Sequence, residues 1–202
     1  FILVPFLIIL FPEKTPEEIT AISLAVVFFN SLSGTYAYHK MKRTDYKSGL
    51  IFAISTLPGA ILGSLVIALI TNNLFNLIFG LILITLAIFL FFRPVNSSDS
   101  NLDKLENNIN ITVDKKWPGF LINLTIGFIS TILGIGGGII RVPALVHLLN
   151  FPVHMATATS QFIVAIMSLG ASIVHLINGN ITNNLIPILT LSITAIIGAQ
   201  IG

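Results

Sequence analysis

The chain has 202 residues, of which 54% are apolar and 9% are charged, and its mean hydropathy is +0.96. An ordinary soluble domain has about 25% charged residues, so this composition excludes a protein whose outer surface is solvated by water. The net charge of +2 gives no basis for nucleic-acid binding, and the lack of cysteine excludes disulfides and thiolate chemistry.

The apolar runs predict membrane-spanning helices. A helix needs about 20 apolar residues to cross a hydrocarbon core about 30 Å thick. On this basis the predicted segments are residues 1–11 (the tail of a helix), 19–39, 49–70, 74–92, 119–133, 139–149, 153–177 and 185–202. The predicted fold class is therefore all-α: a polytopic transmembrane helical bundle that contacts the lipid bilayer. Because both ends lie in apolar runs, we expect the interior of a longer protein.

A glycine cluster separates two segments that are each too short to cross the bilayer. Residues 134–138 read GIGGG, and such a run destabilises a helix while permitting a sharp turn. Irregular backbone inside a membrane is tolerated only where protein buries it or where it lines a cavity. The sequence therefore predicts broken, re-entrant helices that meet at this turn. Tight helix packing is the structural alternative for the cluster.

The charged loops predict the topology. Lys40, Lys42, Arg43 and Lys47 place the loop after the first full span in the cytoplasm, and the linker at 93–116 follows on the same side. The uncharged loops 71–73 and 178–184 then face outward. This divides the chain into a first transmembrane repeat (1–92), a cytoplasmic linker (93–116) and a second transmembrane repeat (117–202).

Short matches indicate that the two halves are repeats. Val4-Pro5-Phe6-Leu7 matches Val142-Pro143-Ala144-Leu145, Ala21-Ile22-Ser23 matches Ala158-Thr159-Ser160, and Gly59 to Gly63 matches Gly198 to Gly202, at offsets of 138, 137 and 139. The equivalent loops differ in charge, so the halves are predicted to have opposite orientations. Inverted repeats with broken helices are typical of transporters that hold substrate near the membrane midplane.

The same motifs resemble a known family. The glycine cluster, Arg141-Val142-Pro143 and Ala158-Thr159-Ser160 resemble the second repeat of the sulfite exporter TauE/SafE family of membrane permeases, and residues 1–63 resemble its first repeat. The resemblance implies transport of sulfite, organosulfonates or related small sulfur-containing anions, usually outward across the cytoplasmic membrane. A passive anion channel remains an alternative, as does an intramembrane enzyme whose catalytic residues lie outside this chain.

The candidate substrate-binding residues surround the turn. Free N–H groups at the start of the second half-helix suit an oxyanion, which assigns Gly136, Gly137 and Gly138 to the site. Arg141 has no carboxylate partner in its half of the chain and is expected to face a cavity, with lipid snorkelling as the alternative. Hydroxyls and the Val-Pro motifs add the remaining candidates, which are Pro143, Thr159, Ser160, Pro5 and Ser23.

No cofactor or metal is predicted. His147, His154 and His175 lack the spacing of a zinc site, and no Asp or Glu accompanies them in the second half of the chain. The expected partners are therefore a small anionic substrate and the lipid bilayer.

Overall fold

A computed structural model of the chain describes residues 2–41, 44–92, 116–149 and 151–201. Within these ranges the chain forms eight α-helices: α1 (Leu3–Leu10), α2 (Pro16–Lys40), α3 (Tyr46–Val66), α4 (Asn72–Phe92), α5 (Lys116–Ile132), α6 (Gly138–Leu149), α7 (Val153–Ile177) and α8 (Leu185–Ile201). Short 3-10 turns at Ile67–Leu69 and Thr182–Asn184 follow α3 and precede α8. The predicted all-α fold class is confirmed. The linker predicted at 93–116, apart from Lys116, lies outside the described residues.

The helix lengths fit a multi-pass membrane protein. Four stretches of the described chain are long and apolar enough to cross a membrane: Pro16–Lys40, Tyr46–Leu69, Val153–Ile177 and Thr182–Gln200. By contrast, α5 has 17 residues and α6 has 12, so they extend about 25 Å and about 18 Å at 1.5 Å per residue. Both fall short of a hydrocarbon core about 30 Å thick, in agreement with the predicted half-helices.

Polar caps explain why two helices begin earlier than the apolar runs indicate. At the start of α2, the Thr15 hydroxyl accepts a hydrogen bond from the backbone N–H of Glu18, and the Glu18 carboxylate accepts one from the N–H of Thr15. This reciprocal capping box satisfies two N–H groups that a helix start leaves without partners. At the start of α3, the Asp45 carboxylate accepts hydrogen bonds from the N–H groups of Lys47 and Ser48.

Two sets of hydrogen bonds define opposite ends of the molecule. At one end, which we call the asparagine end, the side-chain amides of Asn178 and Asn180 donate to the Glu17 carboxylate at 3.1 and 2.7 Å. At the other, the basic end, the backbone N–H of Asp45 donates to the Thr159 hydroxyl at 3.2 Å. The start of α2 therefore lies beside the end of α7, and the two helices pack antiparallel.

The helices α2 and α7 also correspond in length. Each has 25 residues, and their starts at residues 16 and 153 are separated by the offset of 137 that relates Ala21-Ile22-Ser23 to Ala158-Thr159-Ser160. Each follows a shorter helix, α1 or α6, that contains a Val-Pro motif. Antiparallel helices of equal length at this offset are what an inverted repeat requires.

Glycines bring α3 and α5 into close backbone contact. A Cβ on Gly59 would collide with the carbonyl oxygen of Leu124, and a Cβ on Gly127 would lie 2.5 Å from the carbonyl oxygen of Thr56. A Cβ on Gly63 would lie 2.8 Å from the carbonyl oxygen of Phe128. Small residues at such contacts let membrane helices approach closely, which is the structural role of Gly59 and Gly63.

The packing predicts that Gly59→Ala destabilises the protein. An added methyl group would force two backbones apart, and overpacking of this kind costs about 1–3 kcal/mol. The matched control is Gly80→Ala in α4, where a Cβ would meet no other atom within 4 Å. Thermal unfolding in detergent should show a lower melting temperature for Gly59→Ala and an unchanged melting temperature for Gly80→Ala. Equal melting temperatures for the two variants would contradict this packing.

The asparagine end and the basic end are predicted to face opposite sides of the membrane, which can be tested by cysteine labelling in intact cells. Asn183 at the asparagine end and Lys47 at the basic end are both exposed, and the chain has no native cysteine. The positive-inside rule predicts that a membrane-impermeant maleimide labels Asn183→Cys from outside and labels Lys47→Cys only after permeabilisation. The reverse pattern would invert the topology, and labelling of both sites from outside would contradict the assignment of opposite sides.

Candidate functional site

A turn at residues 133–137 connects α5 to α6. Gly134, Gly136 and Gly137 have φ angles of 65°, 77° and 78°, which side chains other than glycine rarely adopt. Two backbone hydrogen bonds close the turn, from Gly134 N to Thr131 O at 3.0 Å and from Ile135 N to Ser130 O at 3.1 Å. The break that the sequence predicts at the glycine cluster is therefore present.

Protein buries this turn on several sides. Gly134 lies against Val4 of α1 and Thr20 of α2, and its carbonyl oxygen accepts a 2.6 Å hydrogen bond from the Ser23 hydroxyl. Gly136 lies between Val27 of α2 and Val164 of α7. The turn thus sits between the two antiparallel helices, which is how a membrane protein accommodates irregular backbone.

Arg141 is buried one turn into α6. Its side chain is 0% exposed, and its backbone N–H donates to Gly137 O at 2.9 Å. The only hydrogen-bond partner of the guanidinium within the described chain is the Met167 sulfur, 3.7 Å from Nη2, whereas Nε and Nη1 have no partner there. The described carboxylates, Glu13, Glu17, Glu18 and Asp45, all lie at or next to the starts of α2 and α3. A guanidinium that is buried without a counter-ion or hydrogen-bonding oxygen marks a place where an anion would be stabilised.

Ser130 faces the same point from α5. A Cβ on Gly137 would lie 2.7 Å from the Ser130 Oγ and 3.7 Å from the Arg141 Nη2, so both groups border the glycine. The Ser130 side chain is 0% exposed, and its hydroxyl has no partner within the described residues. A hydroxyl, a guanidinium and a helix N-terminus therefore converge beside Gly137, and all three donate hydrogen bonds to oxyanions.

The structure brings together some of the predicted site residues. Gly136, Gly137, Arg141 and Ser23 all lie at or against the turn. Gly138 begins α6, and a Cβ there would meet no described atom within 4 Å, so open space adjoins the turn.

Other predicted residues lie further from the turn. Thr159 lies at the basic end, where its hydroxyl is used by Asp45. Ser160 is buried with a hydroxyl that has no partner in the described chain. Pro143 is a buried residue inside α6, and Pro5 is half-buried in α1 next to Val4, which contacts Gly134.

Sequence reasoning missed Ser130 and Met167. Ser130 precedes the glycine cluster by one helical turn, in a stretch that reads as an ordinary apolar span, and Met167 lies 26 residues from Arg141 in the chain. The one feature of the sequence that could have indicated Ser130 is that it is a polar residue in the last turn of α5. The chain reverses at the glycine cluster, so that turn lies beside the start of α6.

Comparison with known proteins identifies the relatives of the chain. A family model described as sulfite exporter TauE/SafE matches residues 1–202. The chain is 36% identical over 180 residues to the probable membrane transporter protein YunE of Bacillus subtilis, across 85% of the chain and 66% of that protein. It is 31% identical over 155 residues to the probable membrane transporter protein MJ0441 of Methanocaldococcus jannaschii, across 76% of the chain and 54% of that protein.

The chain matches only part of the length of each relative. The chain spans 66% and 54% of the lengths of these two relatives, and no solved structure matches it. The family and the names of the relatives indicate a transporter rather than an enzyme. With a family match over all of its residues, a glycine turn buried between antiparallel helices and several membrane-spanning helices, the chain belongs to the sulfite exporter TauE/SafE family of membrane transporters.

Proposed function

We propose that the chain functions as a permease that moves small sulfur-containing anions, such as sulfite or organosulfonates, outward across the cytoplasmic membrane of a bacterium or archaeon. The observation that carries the proposal is Arg141, which is fully buried beside the glycine turn without a carboxylate partner in the described residues. A buried positive charge of this kind is costly unless a ligand or partner neutralises it.

The donor groups at the turn support an anion rather than a cation or a neutral solute. The start of α6 carries the partial positive charge of a helix N-terminus, and Arg141 N is the first to bond a carbonyl of the turn, at Gly137 O. The N–H groups that precede it have no partner within the helix. Sulfite and sulfonate groups present several oxygens that such donors hold well.

Alternating access is the mechanism that this arrangement favours. We propose that residues 1–92 and 117–202 are inverted repeats joined by the linker 93–116, and that substrate binds where they meet. The antiparallel packing of α2 and α7 on either side of the turn supports this arrangement. Broken helices at the interface of inverted repeats are the usual binding sites of such transporters.

Transport by variants of Arg141 tests the proposal directly. In proteoliposomes loaded with sulfite or an organosulfonate, Arg141→Gln should reduce transport by at least about 100-fold, because the variant loses the charge that holds the anion. Arg141→Lys should retain more, about a tenth of the activity, because a point charge lacks the bidentate geometry of a guanidinium. Thermal stability in detergent should not fall for Arg141→Gln, since the variant removes an unpaired buried charge.

Two results would contradict this assignment of Arg141. Unchanged affinity and rate in Arg141→Gln would mean that other groups bind the anion. A large loss of thermal stability that accounts for the loss of transport would instead assign the residue to the fold.

A second prediction concerns Gly137→Ala, which should abolish most transport. The new methyl group would lie 2.7 Å from the Ser130 hydroxyl and close to the Arg141 guanidinium, where it would crowd the space proposed for the anion. Gly179→Ala is the matched control, because Gly179 has a similar φ of 81° and no described atom closer than 3.9 Å to its added Cβ. Both variants carry a similar backbone strain of about 1–2 kcal/mol.

The comparison of these two variants separates strain from blockage. Transport assays at matched membrane abundance should show near-normal flux for Gly179→Ala and little flux for Gly137→Ala. Equal flux in the two variants would indicate that the space beside Gly137 is not used by the substrate.

A further inference from the structure

Some buried hydroxyls of the described chain, those of Ser130, Thr131 and Ser160 among them, have no hydrogen-bond partner, and the Ser130 hydroxyl lies beside Gly137 and Arg141. Ser55, Ser64 and Ser168 each donate to the carbonyl oxygen four residues earlier, at 2.8, 3.0 and 2.6 Å, as serines in membrane helices commonly do. Ser130 makes no such bond within the described chain, although it is equally buried. A buried hydroxyl without a partner is costly, so a bound group that accepts a hydrogen bond from it would be stabilised there.

Ser130 and Arg141 point to one bound group. Their Oγ and Nη2 atoms lie 2.7 and 3.7 Å from the position that a Cβ would take on Gly137, so the two groups are neighbours that border the same glycine. The two residues belong to the two arms of the hairpin, α5 and α6, so one ligand at the turn would contact both arms. A ligand with at least two oxygens satisfies the hydroxyl and the guanidinium together.

The charges near the turn limit the charge of that ligand. The lysines of the described chain, Lys14, Lys40, Lys47 and Lys116, lie at helix ends or in the preceding turn, so none of them lies within the helical interior beside Gly137. His175 is the other titratable residue that the structure describes as buried, but it lies eight residues beyond Met167 on α7, about 12 Å along the helix axis. Among the residues that the structure describes, Arg141 therefore supplies the one formal positive charge at the turn.

We propose that the turn binds a monoanionic oxyanion, with Arg141 as its counter-charge and the Ser130 hydroxyl as a donor to one of its oxygens. This inference rests on the proposed function and narrows its substrates to sulfonates and hydrogen sulfite. A dianion such as sulfate would leave one negative charge unbalanced in a low-dielectric interior, which strongly opposes binding. A halide would balance the charge but would offer no array of oxygens to the hydroxyl and the helix N-terminus.

Methanesulfonate and sulfate provide a direct comparison, because they have similar tetrahedral shapes but carry one and two negative charges. With the purified full-length transporter in detergent, calorimetric titration should show methanesulfonate binding and sulfate binding at least about 100-fold more weakly. Sulfate that binds as tightly as methanesulfonate would overturn the monoanion assignment.

The role of Ser130 is tested by Ser130→Ala, which should weaken methanesulfonate binding by about 10- to 100-fold, the usual effect of losing a hydrogen bond to a charged group. Thr131→Val is the matched control. Thr131 is the next residue of α5, is equally buried and also has no hydroxyl partner in the described chain, but its side chain lies against Gly63 of α3. Thr131→Val should bind methanesulfonate like the wild type.

Further variants keep the test decisive. If Ser130→Ala does not fold, Ser130→Cys retains the size of the side chain with a weaker donor and should bind with intermediate affinity. Equal affinities in the wild type and in the folded Ser130 variant would overturn the role of Ser130. Failure of the wild type to bind or transport any sulfonate or sulfite would overturn the proposed function itself, whereas sulfonate transport with unchanged Ser130 variants would overturn this inference alone.

Discussion

The rest of the structure depends on the need to cover an irregular, polar turn inside an apolar bundle. The backbone at 133–137 leaves helical geometry, and lipid offers no hydrogen-bonding partner to groups released in this way. The arrangement of the neighbouring helices follows from this need. Both long antiparallel helices, α2 and α7, pack against the turn, and α1 closes it near Gly134. The small residues that bring α3 against α5 hold the first arm of the hairpin in place.

The hydroxyl groups of the bundle fall into different structural classes. Some, such as those of Ser55 and Ser64, donate a hydrogen bond to a carbonyl oxygen of their own helix rather than to another helix. The Ser23 hydroxyl instead crosses from α2 to the turn and donates to Gly134 O, so it fixes the turn relative to a long helix. Ser130 belongs to neither class, because its hydroxyl stays without a partner beside the guanidinium of Arg141.

Hydropathy and residue type predict much of the fold and part of the site. The boundaries of α7 follow from its apolar run, whereas α2 starts at Pro16 instead of residue 19 because a polar capping box extends the helix beyond its apolar stretch. The turn is predictable because four glycines within five residues are incompatible with a stable helix, and α6 begins at the last of them.

The positions of individual side chains are less predictable. Arg141 stands out in the sequence because a lone charge in an apolar segment is costly and usually faces a cavity or a partner. Adjacent positions on a helix point about 100° apart, so a motif such as Thr159-Ser160 does not indicate which hydroxyl faces which neighbour. Thr159 in fact faces the loop before α3, while the contact between Ser130 and the start of α6 depends on how the hairpin closes.

The hydrogen bonds at the asparagine end have a consequence for any movement between the two halves of the chain. Glu17 and Glu18 hold the amides of Asn178, Asn180 and Asn184 across the gap between α2 and the loop after α7. The Asn178 bond is exposed and the other two are only partly buried, so water can replace each amide as the gap widens, at little net free energy per bond. These bonds therefore add little free energy to hold this end together, and the apolar packing between the helices behind it contributes more.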